Sequence, residues 1–118
     1  MKKLNEVQIP NQIIIGCHKY NLYFSNVIDA DGHDGTTQHR LQQIWLAPKL
    51  AESRRYTALL HEVLHLICNT YCVRVLNESE IDALSEGLGQ FLLGNLEIKF
   101  DWSKIKEIHN SKEGMIET

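Results

Sequence analysis

The spacing of apolar positions changes character along this chain, and each change marks an element. From Gln12 to Ser25 the run is rich in Ile, Tyr and Phe and broken near its middle. It predicts two strands around a turn between Gly16 and Lys19, bounded upstream by Pro10 and Asn11. Asp29-Ala-Asp-Gly-His-Asp-Gly35 is dense in turn formers and reads as a flexible loop. Its likeness to a calcium loop is superficial, because Asp34 stands where the required Gly belongs and Arg40 where the closing Glu belongs. Arg40 to Leu46 reads as a further strand, with partial alternation at Leu41, Ile44 and Leu46, ended by Ala47-Pro48.

From Ala51 the period becomes helical. Leu60, Val63, Leu64, Ile67 and Tyr71 form an apolar stripe at helix spacing. A second helix is predicted from Asn77 to Leu93. Asn77 is a good N-cap, Glu80 completes a capping box, and Ile81, Leu84, Leu88, Phe91 and Leu92 line one face. Leu96 to Ser103 is amphipathic and can add a short strand or helix. Residues 1–10 and 109–118 read as frayed ends, the chain turning polar beyond Ile108.

The chemistry sits on the first long helix, in His61-Glu62-Val63-Leu64-His65. Residues four apart on a helix lie one above the other, so two imidazoles separated by about 6 Å of rise can close on one tetrahedral Zn²⁺. Glu62 is displaced about 100° around the axis, beside the metal, where it can take a proton from activated water. A third protein ligand is needed, and the second helix offers acids for it. Asp82 borders the apolar face and ranks first, Glu86 one turn on ranks second, and Glu78 one turn earlier ranks third. A solvated first-turn acid that complements the helix dipole is the plainer reading of Glu78. Glu80 is better explained as a cap. Pattern alone leaves the choice open.

Cys68 and Cys72 continue the His61/His65 face, but four ligands along one rigid helix cannot surround an ion. Cys72 lies about 16 Å along the axis from His61. Both thiols read as small buried hydrophobes. His18, His33, His39 and His109 have no ligand-spaced partner, although His33 or His39 can approach the metal if their loop covers the cleft. Tyr56 and Tyr71 are candidate donors to an oxyanion, and spacing selects neither. A strand beside the metal-bearing helix can offer main-chain groups to an extended peptide. Arg40 to Leu46, just upstream, is the candidate, the alternative being an inner strand of the sheet.

Composition narrows the class. A chain of 118 residues with 43% hydrophobic positions builds one domain with an ordinary core. A net charge of −3 gives no electrostatic case for nucleic acid, and no apolar run is long enough to cross a membrane. Three cysteines, with no secretory signal at the N-terminus, predict a reducing cytoplasmic setting. Oligomeric state is not readable.

The order of parts carries a resemblance. A hairpin with a central Gly, an Asp/Gly loop, a strand, Leu59-Leu60-His61-Glu62-x-x-His65, then Ile81-Asp82-Ala83-Leu84-x-x-Gly87-Leu88 resembles small metallopeptidases of phages and prophages, related to the ImmA/IrrE-type zincins. The resemblance spans about Gln12 to Asn95. It implies a single α+β zincin-like domain over residues 1–118, a small antiparallel or mixed sheet packed on the metal-bearing helix and a second helix that closes the site. It implies Zn²⁺ held by His61, His65 and Asp82, with Glu62 as catalytic acid/base. Such proteins usually carry Glu where this chain has Asp82, so the shorter side chain demands a closer approach of the helices or a bridging water. The implied activity is hydrolysis of a peptide bond in a protein substrate, such as a phage or host regulator, by a minimal catalytic core. The rival expectations are a non-catalytic zinc-stabilised adaptor or inhibitor module, and a metal-free domain that keeps the motif as scaffold.

Overall fold

The strongest constraint on the fold is β5 (Gln43–Leu46), whose last three residues, Ile44, Trp45 and Leu46, are all buried. A strand can bury both faces only when layers cover both sides of the sheet, and this hides the alternation that marks a half-exposed strand. Ile44 and Leu46 face the main core, and Trp45 joins Ala47 and Ile28 in a second cluster. The computed structural model describes residues 5–71, 74 and 76–108, and of residues 29–31 only the backbone.

β1 (Glu6–Gln8) is followed by the hairpin of β2 (Gln12–Ile15) and β3 (His18–Ser25). Gly16 opens the turn at φ 62°, the left-handed conformation that a two-residue hairpin needs at its first central position. β3 then pairs parallel with β5, and β5 antiparallel with β4 (Gly35–Gln38), so the order is β2-β3-β5-β4. β7 (Lys106–Ile108) pairs parallel with β3 beyond β2. Between β3 and β4 lies the short helix α1 (Asn26–Asp31). Of the segment expected to be a flexible Asp/Gly loop, residues 29–31 end the helix, residues 32–34 form a turn outside helix and strand, and Gly35 begins β4. β5 is an inner strand. The edge beside the long helix belongs to β4, and among the described residues β4 pairs with β5 alone.

α2 (Glu52–Tyr71) lies on this sheet and α3 (Glu78–Gly89) packs on α2; α3 runs on into one π-helical stretch, Gln90–Asn95. The core gathers Leu22, Ile44 and Leu46 of the sheet with Leu59 and Leu66 of α2. Burial of side chains of this size contributes roughly 1.5–3 kcal/mol each. Trp102 closes the far end: its indole N–H donates to Glu52 at 2.8 Å, and Arg55 lies over the Phe24 and Trp102 rings. Glu6–Gln8, within the stretch expected to fray, pairs parallel with β6 (Lys99–Asp101). Cys72, His109 and the expected frayed C-terminus lie outside the described residues. The protein is an α+β domain with a mixed sheet. Among the described residues, no helix is long and apolar enough to cross a membrane.

α3 is turned from the face that hydrophobicity predicts at Leu84, Leu88 and Phe91, although Ile81 is buried and Leu92 packs on the core as expected. Of the stripe expected on α2, Leu60, Val63 and Ile67 pack on the core. On α2 the expected stripe ended at Tyr71, which is exposed, its hydroxyl accepting the Gly16 N–H at 2.7 Å. The buried positions of α2 are Tyr56, Ala58, Leu59, Glu62, Leu66 and Cys68, the last as its reading as a small buried hydrophobe expects. On α3 Leu84, Leu88 and Phe91 are exposed, whereas Ile81, Ser85 and Gly89 are buried. Ser85 and Gly89 are small, so the helices approach closely. A Cβ on Gly89 would stand 3.0 Å from the Thr57 methyl. Ser85 satisfies its hydroxyl on the Ile81 carbonyl at 2.7 Å.

Candidate metal centre

α2 presents His61 and His65 on the flank that faces α3, as their i,i+4 spacing requires. Their Nε2 atoms stand 3.1 Å apart, with ring centroids 4.7 Å apart and planes at 64°. The rotation of α3 brings its first turn to them. Glu78 spans the pair, Oε2 being 3.1 Å from His61 Nε2 and Oε1 2.8 Å from His65 Nε2. A tetrahedral zinc with bonds near 2.0–2.1 Å needs ligand atoms roughly 3.3 Å apart. Two imidazole nitrogens and a carboxylate, all within 4.8 Å of one another, match that donor set. Among the described residues this is the one group of His, Cys, Asp and Glu that can hold a metal.

Asp82, ranked first as third ligand, lies elsewhere around His61: its Oδ1 is 2.8 Å from His61 Nδ1. The nitrogen that Glu78 meets is Nε2, so Asp82 sits on the other ring nitrogen of His61. There a carboxylate fixes the tautomer and orients the ring. Of the two acids, it is Glu78 that meets both Nε2 atoms. Glu86 lines the same cleft without joining the group. The N-terminus of α3 is held where Glu78 needs it by its cap. Asn77 accepts from the Glu80 N–H and Glu80 accepts from the Asn77 N–H, both at 2.9 Å. That hydrogen bond first, and the Arg74 guanidinium beside it second, hold the Glu80 carboxyl below the usual carboxylate range.

Glu62 occupies the next quadrant of α2, turned to the sheet, and is 9% exposed. Its Oε1 accepts a hydrogen bond from Thr37 Oγ1 of β4 at 2.6 Å. An open cleft of about 660 Å³ lies against one side of the group, between the segment from Gly32 to Gly35 and α3. A second of about 380 Å³ runs along Thr36, Thr37 and His39. His61, Glu62 and Glu78 line both, so the centre sits where the two spaces meet. His33 also lines both and His39 the second, although neither joins the metal-capable group. An exposed ion pair of Arg54 with Asp34, 2.6 Å, ties the strand side of the cleft to α2. Neither tyrosine lines these clefts. Tyr71 is spent on the Gly16 turn, and Tyr56 stacks on Phe100 at 4.2 Å, where burial pushes its hydroxyl pKa up.

Sequence reasoning ranked Glu78 last among the acids and did not single out Thr37 or Gly35. A usable signal existed for Glu78. It follows the N-cap directly and precedes Asp82 by four residues, so the two acids share a face and must approach the same partner. Thr37 had no comparable signal, because its role depends on where a strand lands on a helix. Comparison of the chain with protein-family models, with curated proteins and with solved structures finds no match.

Proposed function

We propose that the protein is a zinc-dependent peptidase that hydrolyses a peptide bond in a protein substrate. One observation carries this reading: a two-histidine, one-carboxylate group at the junction of two open clefts, with a second, buried carboxylate a quarter-turn away on the same helix. The same donor set also suits ferrous iron. The buried Glu62 beside it is what favours hydrolysis and zinc. Among the described residues, three protein donors rather than four support an open catalytic site over a structural one.

In this reading His61, His65 and Glu78 hold the ion and Asp82 orients His61. Zinc, when bound, supplies Lewis acidity toward a carbonyl and toward water. Glu62 takes the proton of the attacking water and returns it to the leaving amine. The edge of β4, which among the described residues pairs with β5 alone, lies along the second cleft and can pair with an extended substrate backbone, which gives affinity without sequence preference. The resemblance to ImmA/IrrE-type zincins extends the proposal to a phage or host regulator as substrate, in a reducing cytoplasm.

The test is elemental analysis of purified wild type and Glu62→Gln, followed by hydrolysis of labelled casein. About one zinc per chain in both, with hydrolysis by wild type alone, is the expected outcome. Full hydrolysis by Glu62→Gln sinks the mechanism. Zinc in both with hydrolysis by neither favours the adaptor or inhibitor module. No zinc, even after reconstitution, leaves the motif as scaffold.

A further inference from the structure

We infer that Thr37 is a positioning residue for Glu62, and that strand β4 thereby sets which carboxylate oxygen receives the proton. The inference rests on the peptidase reading above. Thr37 Oγ1 donates to Glu62 Oε1 at 2.6 Å, at the short end of the range for hydroxyl–carboxylate hydrogen bonds. Glu62 is nearly buried, so water does not readily replace that donor. Among the described residues no donor is bonded to Oε2. With Oε1 engaged, Oε2 is the oxygen left to accept a proton.

The strand is built to reach the helix here. Gly35 and Thr37 are two apart on β4 and face the same side. A Cβ on Gly35 would stand 3.1 Å from Leu46 Cδ2, 3.3 Å from the Trp45 carbonyl oxygen and 3.5 Å from Glu62 Cγ. The tight approaches are to Leu46 and Trp45, so the missing Cβ lets β4 pair closely with β5, and it meets Glu62 only at ordinary contact distance. Thr37 spans the gap to the carboxylate. A rotatable carboxylate in an open cleft would otherwise sample orientations that point neither oxygen at a reacting water. Loss of alignment of that order costs rate steeply.

The probe is acetohydroxamic acid, a small zinc chelator whose acidic proton is taken by a carboxylate beside the metal. Its affinity for zinc-loaded protein is measured by calorimetry, with zinc content determined for each sample. The series is wild type, Thr37→Val, Thr37→Ser, Glu62→Gln and the double variant Thr37→Val with Glu62→Gln. Val keeps the shape of Thr and removes the hydroxyl. The expected result is unchanged zinc content throughout and affinity about tenfold weaker in Thr37→Val. Thr37→Ser returns to within about twofold of wild type, and Thr37→Val adds no loss once Glu62 is Gln. In casein hydrolysis Thr37→Val lowers kcat and leaves KM in place. A Thr37→Val protein equal to wild type, or an equal loss in the Glu62→Gln background, overturns the proposal alone. So does loss of zinc from both Thr37 variants, which marks a purely structural threonine. A wild type that takes up no zinc overturns this proposal and the peptidase reading together.

Discussion

Glu78 and Asp82 lie four residues apart on one helix, yet they meet different nitrogens of the same histidine. The difference separates two kinds of loss. On the proposed zinc site, removing Glu78 would leave two imidazoles to hold the ion, whereas removing Asp82 would leave all three donors and free only a ring to turn. Glu78→Ala is accordingly expected to abolish zinc retention through gel filtration. Asp82→Asn is expected to keep zinc with affinity reduced about 10–100-fold, measured by competition with a chelator. The reverse order would return Asp82 to the third-ligand role that its border position first suggested. The shared side of the two acids was legible in sequence, but not which nitrogen each meets, because only the rotation of α3 decides which reaches farther.

That rotation belongs to the element. Periodicity placed α2 and α3 correctly, and the capping box at Asn77 and Glu80 is present as expected. It misjudged part of the α3 face, because Leu84, Leu88 and Phe91 outweigh Ser85 and Gly89 in any hydrophobic count. Close helix contact selects small residues instead. Gly87→Ala, with open space around its Cβ, should stabilise the protein by about 0.4–1 kcal/mol. Gly89→Leu should destabilise it by about 1–3 kcal/mol and weaken zinc binding, because α3 must move off Thr57 and carry Glu78 with it. Denaturant melts and chelator competition on both variants check this. Asn77→Ala should cost about 1 kcal/mol in the same melts. The cap also predicts a pH dependence. The folded Glu80 carboxyl lies below its unfolded value, so its contribution is complete above the ordinary carboxylate range and is lost as pH falls through the lowered one. The stability difference between wild type and Glu80→Gln should therefore shrink on acidification, read from denaturant midpoints against pH.

At the scale of the whole molecule, the centre joins three layers: the edge of the sheet through Thr37, α2 through the histidines and Glu62, and α3 through Glu78 and Asp82. An ion held across α2 and α3 binds the folded state only, so zinc at about 100 times its dissociation constant should stabilise the protein by about 2.7 kcal/mol. Excess EDTA should reverse the rise in Tm, and a Tm indifferent to both would deny the ion a place between the helices. What sequence by itself determined is local: the hairpin turn at Gly16, the cap at Asn77, two helices, and a His-Glu-x-x-His spacing whose angular consequences follow from helix geometry alone. The tertiary structure decided what depends on the relation between elements. It made β4 the edge strand and β5 an inner one, because both faces of β5 are covered and its alternation is erased. It brought Glu78 to the histidines through the small residues of α3, whose influence lies in the space they leave open. It set Thr37 on Glu62 across 25 residues of chain, a contact that no local period encodes.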